Sequence, residues 1–339
     1  MNAIRPRITV LTPTYNRSSF LRGAIASVLA QDYADFRLVV GDNASDDGTS
    51  EVVAELSDPR IEYVRHPENI GYLRNFNFLV DQVDSEYFTV LPDDDQMLPG
   101  RLRTAVELLD REPRVGLLHS SFSRIDGEGR VVREVQDWIG GVDHDLIQPG
   151  HEFIRDRIGS PGGICFPTAV YRTEAAPSPV FDPGDDPSVD FGLFLRIALE
   201  WDVAFIAEPL VAFRDHEGSD SARSGWFSEA GYVEGFGITE RFKQVKLRFL
   251  FGEGRHLPEH AKLIDAAERT FRRQMLDTTA ASLAEGRTLP RTLRLLREAA
   301  SRDRRVLLEP GSGRMVVGSA VKPVVQRLRS AWSRRRSPQ

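Results

Sequence analysis

Short apolar runs alternate with amphipathic stretches through the first 120 residues of the chain. The apolar runs predict five buried strands, at residues 8–11, 38–40, 61–64, 87–91 and 115–118. Between them, apolar residues recur at helical spacing and predict helices over residues 20–29, 50–56, 73–83 and 101–110. Strands and helices that alternate in this way form βαβ units. We therefore predict an α/β fold, with a mainly parallel, Rossmann-like sheet and helices on both faces.

The pattern changes after residue 120. It predicts a hairpin over residues 122–135, strands at 164–171, 203–206 and 210–213, and a helix over 189–200. From about residue 227 onward the pattern is helical, with predicted helices over 242–251, 261–276 and 289–300. We therefore predict one domain over residues 1–226, followed by a helical C-terminal region over 227–339 with a basic tail.

Composition excludes several classes of protein. The chain has 339 residues, of which 41% are hydrophobic, so it can bury ordinary cores. A net charge of −6 gives no support to nucleic-acid binding, and none is expected. Cys165 is the single cysteine, which excludes an internal disulfide and a cysteine-based zinc cluster. Because no apolar run reaches about 18 residues and no signal peptide is apparent, we expect a cytoplasmic protein.

The last 39 residues form a basic tail, with ten Lys or Arg against two Asp or Glu over residues 301–339. Apolar residues between Val317 and Trp332 fall on one helical face. This pattern is typical of a helix that contacts anionic lipid at the inner face of a membrane. Since Pro323 interrupts the pattern, we favour a helix that packs on its own domain, and peripheral membrane contact remains the second hypothesis.

Three consecutive aspartates, Asp93, Asp94 and Asp95, follow the fourth predicted strand. Open α/β sheets bind ligands at the carboxyl ends of their strands. Placing three like charges together costs free energy unless a cation neutralises them. A hard divalent cation held by few carboxylates usually completes its coordination shell with oxygens of substrate phosphates. The cluster therefore predicts a metal–diphosphate site. The alternative is a solvated acidic turn before the helix that starts near Pro99.

Three further polar clusters follow predicted strands, at residues 12–17, 41–49 and 69–75. In the second cluster, the Asp42 carboxylate can accept the imide N–H of uracil or thymine. The alternative for this loop is a helix N-cap, with oxygens from Asp47 and Thr49. In the third cluster, Arg74 can contact a phosphate, and the alternative is a surface arginine at a helix start.

The order and spacing of these segments resemble the family 2 glycosyltransferases, which are inverting enzymes with the GT-A fold. The resemblance rests on residues 10–17, 40–49, 69–75, 91–95, 189–190 and 208–216, and it covers about residues 6 to 220. It implies a GT-A domain over residues 1–226. The nucleotide-sugar half would comprise about residues 1–120, and the acceptor half about 121–226.

The resemblance also implies roles for individual residues. Thr12 and Asp42 would contact the nucleotide base. The full nucleotide-sugar set is Thr12, Pro13, Tyr15, Asp42, Asn43, Arg74 and Asp93. The expected cofactor is Mg²⁺ or Mn²⁺, with Asp94, Asp95 and His216 as ligands. The first acid of the family's Asp-x-Asp element aligns with Pro92 here, so which aspartates bind the metal stays open. For His216, a structural role is the alternative.

The catalytic base implied by the resemblance is Asp190. The family has a Glu-Asp pair before a late helix, and this chain has Val189-Asp190. An inverting transfer needs one carboxylate that removes the proton from the attacking acceptor hydroxyl. The alternative is that Asp190 only caps its helix, which is a common role for aspartate.

Together these implications describe a metal-dependent inverting glycosyltransferase. Its donor would be a nucleotide-diphosphate sugar, with UDP- or dTDP-sugars favoured. Its acceptor would be a saccharide, lipid-linked or small-molecule hydroxyl, in the biosynthesis of cell-surface polysaccharide. A sugar-phosphate nucleotidyltransferase is a second hypothesis, but the loop at residues 12–17 lacks the glycines expected of one. A non-catalytic sugar- or partner-binding relative is a third, because the usual Glu is Val189 and the usual first Asp is Pro92.

Overall fold

The computed structural model describes residues 5–135, 142–160, 164–186, 188–216, 242–284 (backbone only from 277) and 303. The chain divides into two compact units. The first comprises Met1–Arg157 and Gly162–His216, and the second Ile158–Pro161 and Glu217–Gln339. The boundary predicted at residue 226 lies outside the described residues and stays a prediction. In the described part of the chain, no helix has the length and apolar character needed to span a bilayer.

The described strands of the first unit form one ten-stranded sheet. They are β1 (Ile8–Thr14), β2 (Phe36–Asp42), β3 (Ile61–Arg65), β4 (Tyr87–Val90), β5 (Gln96–Met97), β6 (Val115–Ile125), β7 (Val131–Val135), β8 (Leu146–Gln148), β9 (Val170–Arg172) and β10 (Asp202–Arg214). The helices are α1 (Ser18–Leu29), α2 (Thr49–Leu56), α3 (Tyr72–Asp81), α4 (Arg101–Arg111), α5 (Gly150–Ile158) and α6 (Val189–Ile197).

The strand order is β3-β2-β1-β4-β9-β6-β10-β5, with β7 paired to β6 and β8 to β10. Strands β1, β2, β3 and β4 are parallel neighbours, and β6 is parallel to β10. Because β9 is antiparallel to both β4 and β6, these six strands all run in one direction. The predicted α/β fold with a mainly parallel sheet is confirmed.

Alternation along the strands produces two apolar faces. Ile8 and Val10 of β1 belong to the large core beneath α1 and α4. On another part of the sheet, the rings of Phe88 and Tyr171 stack with centroids 4.8 Å apart, and Phe194 of α6 stacks on Tyr171. Successive strand residues point to opposite faces, so the side chains of one short apolar run can pack against helices on both sides of the sheet.

The direction in which the sheet grows reverses at β1. The chain passes from β1 to β2 on one side of the sheet and later returns to β4 on the other side. The loops that follow β1 and β4 therefore diverge and leave a crevice at the carboxyl edge, where α/β sheets bind ligands. This topology places the loop at residues 15–17 opposite the aspartates at 93–95.

Three predicted strands are wrong in their extent. The strand expected at 164–171 is a 3₁₀ turn at Phe166–Thr168, and only Val170–Arg172 pairs. Pro167 has no N–H to donate to a ladder. The two strands expected at 203–206 and 210–213 are one strand, β10, whose register shifts on either side of Pro209. A bulge accommodates this proline without ending the strand.

Several short elements were not predicted, namely β5, β8 and α5. Of these, β5 matters most for the site, because Met97 pairs with Val211 and ties the segment after the aspartates to β10. In the second unit, helix α7 covers residues 242–251 and α8 covers His260–Ala284, so both predicted helices are present. The helix predicted at 289–300 and the amphipathic pattern at 317–332 lie outside the described residues.

Candidate active site

The loops after β1 and β2 are joined by hydrogen bonds. The Asn16 amide donates to Ser45 Oγ, and the Asp46 amide donates to Asn16 Oδ1. The Asp47 carboxylate accepts from the Ser18 amide at 2.8 Å and so binds a backbone N–H at the start of α1. The N-cap of α2 is Gly48, which makes the predicted cap by Asp47 wrong. The two loops therefore form one rigid wall of the crevice.

Asp42 lies at the end of β2 and is fully buried. Its Oδ1 accepts from the Ser45 amide at 2.8 Å, and its Oδ2 accepts from the Tyr63 hydroxyl at 2.5 Å. The Arg65 guanidinium lies 3.5 Å from the same Oδ2. A carboxylate has about four lone-pair sites, so Asp42 can still accept one more donor. Because Asp42 is fully buried, a base would reach this remaining site only after the Tyr63 or Arg65 side chain moves aside.

The neighbouring Asn43 is also buried and joins the loop after β2 to the loop before α3. Its Nδ2 donates to Asn69 Oδ1 at 2.9 Å, and its Oδ1 accepts from the Ile70 amide at 2.8 Å. Asn75 completes this arrangement by donating to the Gly41 carbonyl. The third polar cluster is thus built against the second, as their positions after neighbouring strands require.

The remaining predicted nucleotide-sugar residues differ in exposure. Thr12 is buried in β1, and its hydroxyl has no hydrogen-bond partner among the described residues. Pro13 is half-buried, whereas Tyr15 is 46% exposed. Arg74 is exposed on the first turn of α3 and forms no ion pair within the described part of the chain. Tyr15 and Arg74 can therefore reach a ligand without rearrangement.

All three aspartates at 93–95 are buried at the end of β4. Arg17 Nη1 lies 2.7 Å from Asp94 Oδ2 and 3.3 Å from Asp93 Oδ1. His216 Nε2 lies 3.1 Å from the same Asp94 Oδ2. The acids thus point into the crevice between β1 and β4, and they do not form a solvated turn.

The charge of this cluster is only partly compensated. Burial, reinforced by repulsion from Asp94, raises the pKa of Asp93 to about 7 despite the adjacent Arg17. The same two causes raise the pKa of Asp95 well above its usual range, although its Oδ1 accepts from the Arg214 amide at 2.8 Å. A buried site whose carboxylates resist ionisation favours an added cation.

The chemistry of the donors fits a divalent cation with two protein ligands. Asp94 Oδ2 and His216 Nε2 are 3.1 Å apart, close to the roughly 3.0 Å between adjacent ligands of an octahedral ion with bonds of about 2.1 Å. Within the described ranges, no three His, Cys, Asp or Glu side chains come together as a metal-binding group. Further ligands would have to be phosphate oxygens or water, which is the usual arrangement for Mg²⁺.

Four acids precede or begin α6, and the structure gives three of them other partners. Asp182 caps a 3₁₀ turn, Asp185 pairs with Arg196 at 2.5 Å, and Asp186 accepts from the Tyr72 hydroxyl. Asp190 has no side-chain partner among the described residues, and burial raises its pKa to about 6. It is therefore the acid of this segment that is available to take a proton near neutral pH.

Asp190 and the aspartates at 93–95 lie in the same region. The carboxylates of Asp95 and Asp190 both contribute to raising the pKa of the Cys165 thiol, after the larger effect of burial. Electrostatic effects of this kind weaken quickly with distance, so both carboxylates lie near that thiol. The predicted base and the predicted metal site thus share one end of the sheet.

Sequence reasoning missed two arginines of this site. Arg17 belongs to the polar cluster at residues 12–17, but no role was predicted for it. Its position directly after β1, at the edge of the sheet where ligands bind, could have indicated one. Arg101 is fully buried at the start of α4, where it donates to Thr89 Oγ1 at 2.8 Å. Burial lowers the pKa of Arg101 to about 10, and Asp95 partly offsets this effect. No periodicity in the sequence distinguishes a buried arginine from an exposed one at a helix start.

Comparisons with known proteins agree with this geometry. Residues 9–176 match the family model for glycosyl transferase family 2. A GalNAc(5)-diNAcBac-PP-undecaprenol beta-1,3-glucosyltransferase of Campylobacter jejuni is 38% identical over 105 residues, which are 30% of this chain and 34% of that protein. The putative colanic acid biosynthesis glycosyl transferase WcaA of Escherichia coli is 35% identical over 99 residues, 29% of this chain and 36% of that protein. The chain thus matches about a third of the length of these two relatives.

Solved structures show the same fold at low sequence identity. TarS of S. aureus has a TM-score of 0.59 at 15% identity, covering 96% of this chain and 87% of that chain. A mannosyltransferase of Pyrobaculum calidifontis, in complex with GDP-Man and Mn²⁺, has a TM-score of 0.53 at 19% identity, covering 97% and 88%. The architecture is that of GT-A glycosyltransferases. By its sequence and its fold, the chain belongs to glycosyl transferase family 2.

Proposed function

We propose that this protein transfers a sugar from a nucleotide-diphosphate donor to an acceptor hydroxyl, with inversion at the anomeric carbon. The donor would lie in the crevice between the β1 and β4 loops, with its base toward Asp42 and its diphosphate toward Asp93 and Asp94. Asp190 would remove the proton of the acceptor hydroxyl as that oxygen attacks the anomeric carbon. The proton would move to the Asp190 carboxylate, and the nucleoside diphosphate would leave with the bonding electrons.

The observation that carries this proposal is the environment of Asp190. It is the one acid of its segment without a side-chain partner in the described part of the chain, and burial raises its pKa to about 6. A general base works best when its pKa is close to the operating pH, because it is then both ionised and sufficiently basic. The neighbourhood shared with Asp95 puts this base near the expected diphosphate.

Asp94 and His216 would hold a divalent cation, Mg²⁺ or Mn²⁺, that neutralises the departing diphosphate. Asp95 would attract the cation through its negative charge and would not be a direct ligand, because its Oδ1 already accepts from the Arg214 amide. Support comes from the separation of the two donors and from the unfavourable burial of the acids. The mannosyltransferase of similar fold was also solved with Mn²⁺.

For the donor we favour a UDP- or dTDP-sugar, because a carboxylate such as Asp42 accepts the imide N–H of those bases. TarS, which has a similar fold, was solved with UDP-GlcNAc. For the acceptor we favour a saccharide carried on a lipid diphosphate, in cell-surface polysaccharide biosynthesis, as the names of the two bacterial relatives suggest. A cytoplasmic protein that contacts the inner face of the membrane through its basic tail would meet such an acceptor.

A donor panel tests the proposal. The protein is incubated with UDP-, dTDP- and GDP-sugars, with and without Mn²⁺, and with a pyrophosphate-linked saccharide on a short lipid. We expect release of the nucleoside diphosphate and a glycoside whose anomeric configuration, read by NMR, is opposite to that of the donor. Binding of nucleotide sugars without any nucleoside diphosphate release would instead support a non-catalytic relative. Retained configuration would contradict the single displacement.

A further inference from the structure

Arg17 occupies a distinctive position in the crevice. It stands at the N-cap of α1, directly after the turn that ends β1, and its side chain is 18% exposed. Its Nη1 donates to Asp94 Oδ2 at 2.7 Å and lies 3.3 Å from Asp93 Oδ1. The guanidinium therefore partly compensates the charge of the two acids on which the proposed diphosphate site depends.

One oxygen atom is the point of conflict. Asp94 Oδ2 accepts from Arg17 Nη1 and also lies 3.1 Å from His216 Nε2. A carboxylate oxygen offers two lone pairs in its plane, so these two partners use both. A divalent cation held by Asp94 Oδ2 and His216 Nε2 would take the lone pair that now faces His216, and it would share this oxygen with Arg17. It would also stand close to a second positive charge.

The residues beside Arg17 hold the first turn of α1 in place. Phe20, one turn further along α1, packs on the His216 ring with centroids 4.6 Å apart, and the Arg214 guanidinium lies over the same Phe20 ring. These contacts fix the backbone of the first turn of α1 against the end of β10. The Arg17 side chain can then exchange partners by rotation of its own torsions. An arginine released from a carboxylate binds phosphate oxygens readily, because its planar fork suits both.

We propose that Arg17 is a positioning residue that takes the place of the cation at Asp94 when no donor is bound, and that moves to the donor diphosphate when cation and donor bind together. This inference rests on the proposed function. Its consequence is coupled binding. A cation alone must displace Arg17 without providing it with a new partner, whereas a cation that arrives with a diphosphate supplies one.

Mn²⁺ binding without turnover tests the proposal. The dissociation constant for Mn²⁺ is measured by EPR of the unbound ion, with and without UDP, for the full chain and for Arg17→Gln. We expect the unaltered protein to bind Mn²⁺ at least tenfold more tightly when UDP is present. In the absence of UDP, Arg17→Gln should bind Mn²⁺ at least about fivefold more tightly than the unaltered protein does. The additional tightening of Mn²⁺ binding by UDP should be smaller in this variant.

Two further variants make the result specific. Arg22→Gln is the matched control, because Arg22 lies on the same helix but pairs with Glu55 at the surface, 2.5 Å away. It should bind Mn²⁺ as the unaltered protein does. Arg17→Lys keeps the charge at the site and should retain most of the coupling between Mn²⁺ and UDP. Far-UV circular dichroism checks that each variant is folded, and Arg17→Met, which also removes the charge, carries the comparison if Arg17→Gln does not fold.

The outcomes separate this inference from the proposed function. Unchanged or weaker Mn²⁺ binding by Arg17→Gln without UDP would overturn the role of Arg17, while the cation site itself would stand. If the unaltered protein binds UDP but never Mn²⁺, the proposed metal dependence fails. The role of Arg17 would then depend on whether Arg17→Gln gains Mn²⁺ binding, and no gain would overturn it as well.

Discussion

The carboxylate of Asp185 fills the space that a side chain at Gly192 would need. Asp185 is buried, and its Oδ2 is fixed by Arg196 at 2.5 Å. A glycine in the first turns of α6 thus allows a buried ion pair to pack directly beneath the helix. This ion pair anchors the first turns of the helix, which carry Asp190.

Replacing Gly192 with alanine should therefore destabilise the protein. The added methyl group must push the Asp185 carboxylate away from Arg196, and overpacking of this kind costs about 1–3 kcal/mol. Urea denaturation measures the loss. Gly127→Ala is the control, since an added Cβ there meets no atom within 4 Å, and it should change the free energy of unfolding little. Equal effects of the two substitutions would contradict the assigned role of Asp185.

Tyr63→Phe should destabilise the wall of the crevice that carries Asp42. The Tyr63 hydroxyl donates to the buried Asp42 carboxylate at 2.5 Å, and hydrogen bonds to charged groups contribute about 1.5–3 kcal/mol. Tyr72→Phe is the control, because the Tyr72 hydroxyl donates to Asp186 at the exposed surface. We expect thermal unfolding to show a clearly larger loss for Tyr63→Phe than for Tyr72→Phe. Similar losses would mean that Asp42 does not depend on Tyr63.

Asp190→Asn should fold and bind the donor but lose turnover. An amide cannot accept the proton of the acceptor hydroxyl, and loss of a general base lowers rates by roughly 10²–10⁴-fold. The matched control is Asp182→Asn, in which the new side-chain oxygen can still cap the 3₁₀ turn through the Gly184 amide. Turnover is measured as nucleoside diphosphate release, and binding as the donor-induced rise in melting temperature. Undiminished turnover in Asp190→Asn would exclude this residue from the mechanism.

The pH dependence of turnover should report the same group. Burial raises the pKa of Asp190 to about 6, and only its ionised form can take a proton. We therefore expect kcat to fall about tenfold per pH unit below about 6 and to level off above it. A profile that stays flat down to pH 4.5 would argue against a carboxylate base with this pKa.

Stability should follow the opposite trend at this residue. The pKa of Asp190 is higher in the folded state than the roughly 3.9 of an unfolded chain, so the folded protein binds the proton more tightly. Its ionisation lowers stability fully above about pH 6 and not at all below about pH 4. Because the side chain is half-buried, Asp190→Asn should stabilise the protein on the order of 1–2 kcal/mol at pH 8. At pH 4 the difference between the two proteins should vanish. Melting temperatures at the two pH values provide the measurement.

The regular elements of the first 120 residues followed from the sequence because their signals are local. Helix α1 shows its buried face at 3.6-residue spacing, and β1 begins with a short run of mostly apolar residues. Failures had two causes, a distant partner that decides the conformation and a proline whose effect on pairing the apolar pattern does not show. Two-residue β5 exists because β10 is there to pair with it, and the strand around Pro167 is shortened because proline cannot donate to a ladder.

The sequence alone determined the family, the edge of the sheet that carries the polar loops, and the residue types gathered there, since these depend on motif order and on the direction of parallel strands. The tertiary structure decided which acid has which partner. Asp185 and Asp190 are similar in the sequence, but one is neutralised by Arg196 and the other is half-buried without a charged partner. The structure also brought Arg17 to Asp94 across 77 positions of the chain. Charge compensation and burial depend on distances in space, which spacing along the chain does not specify.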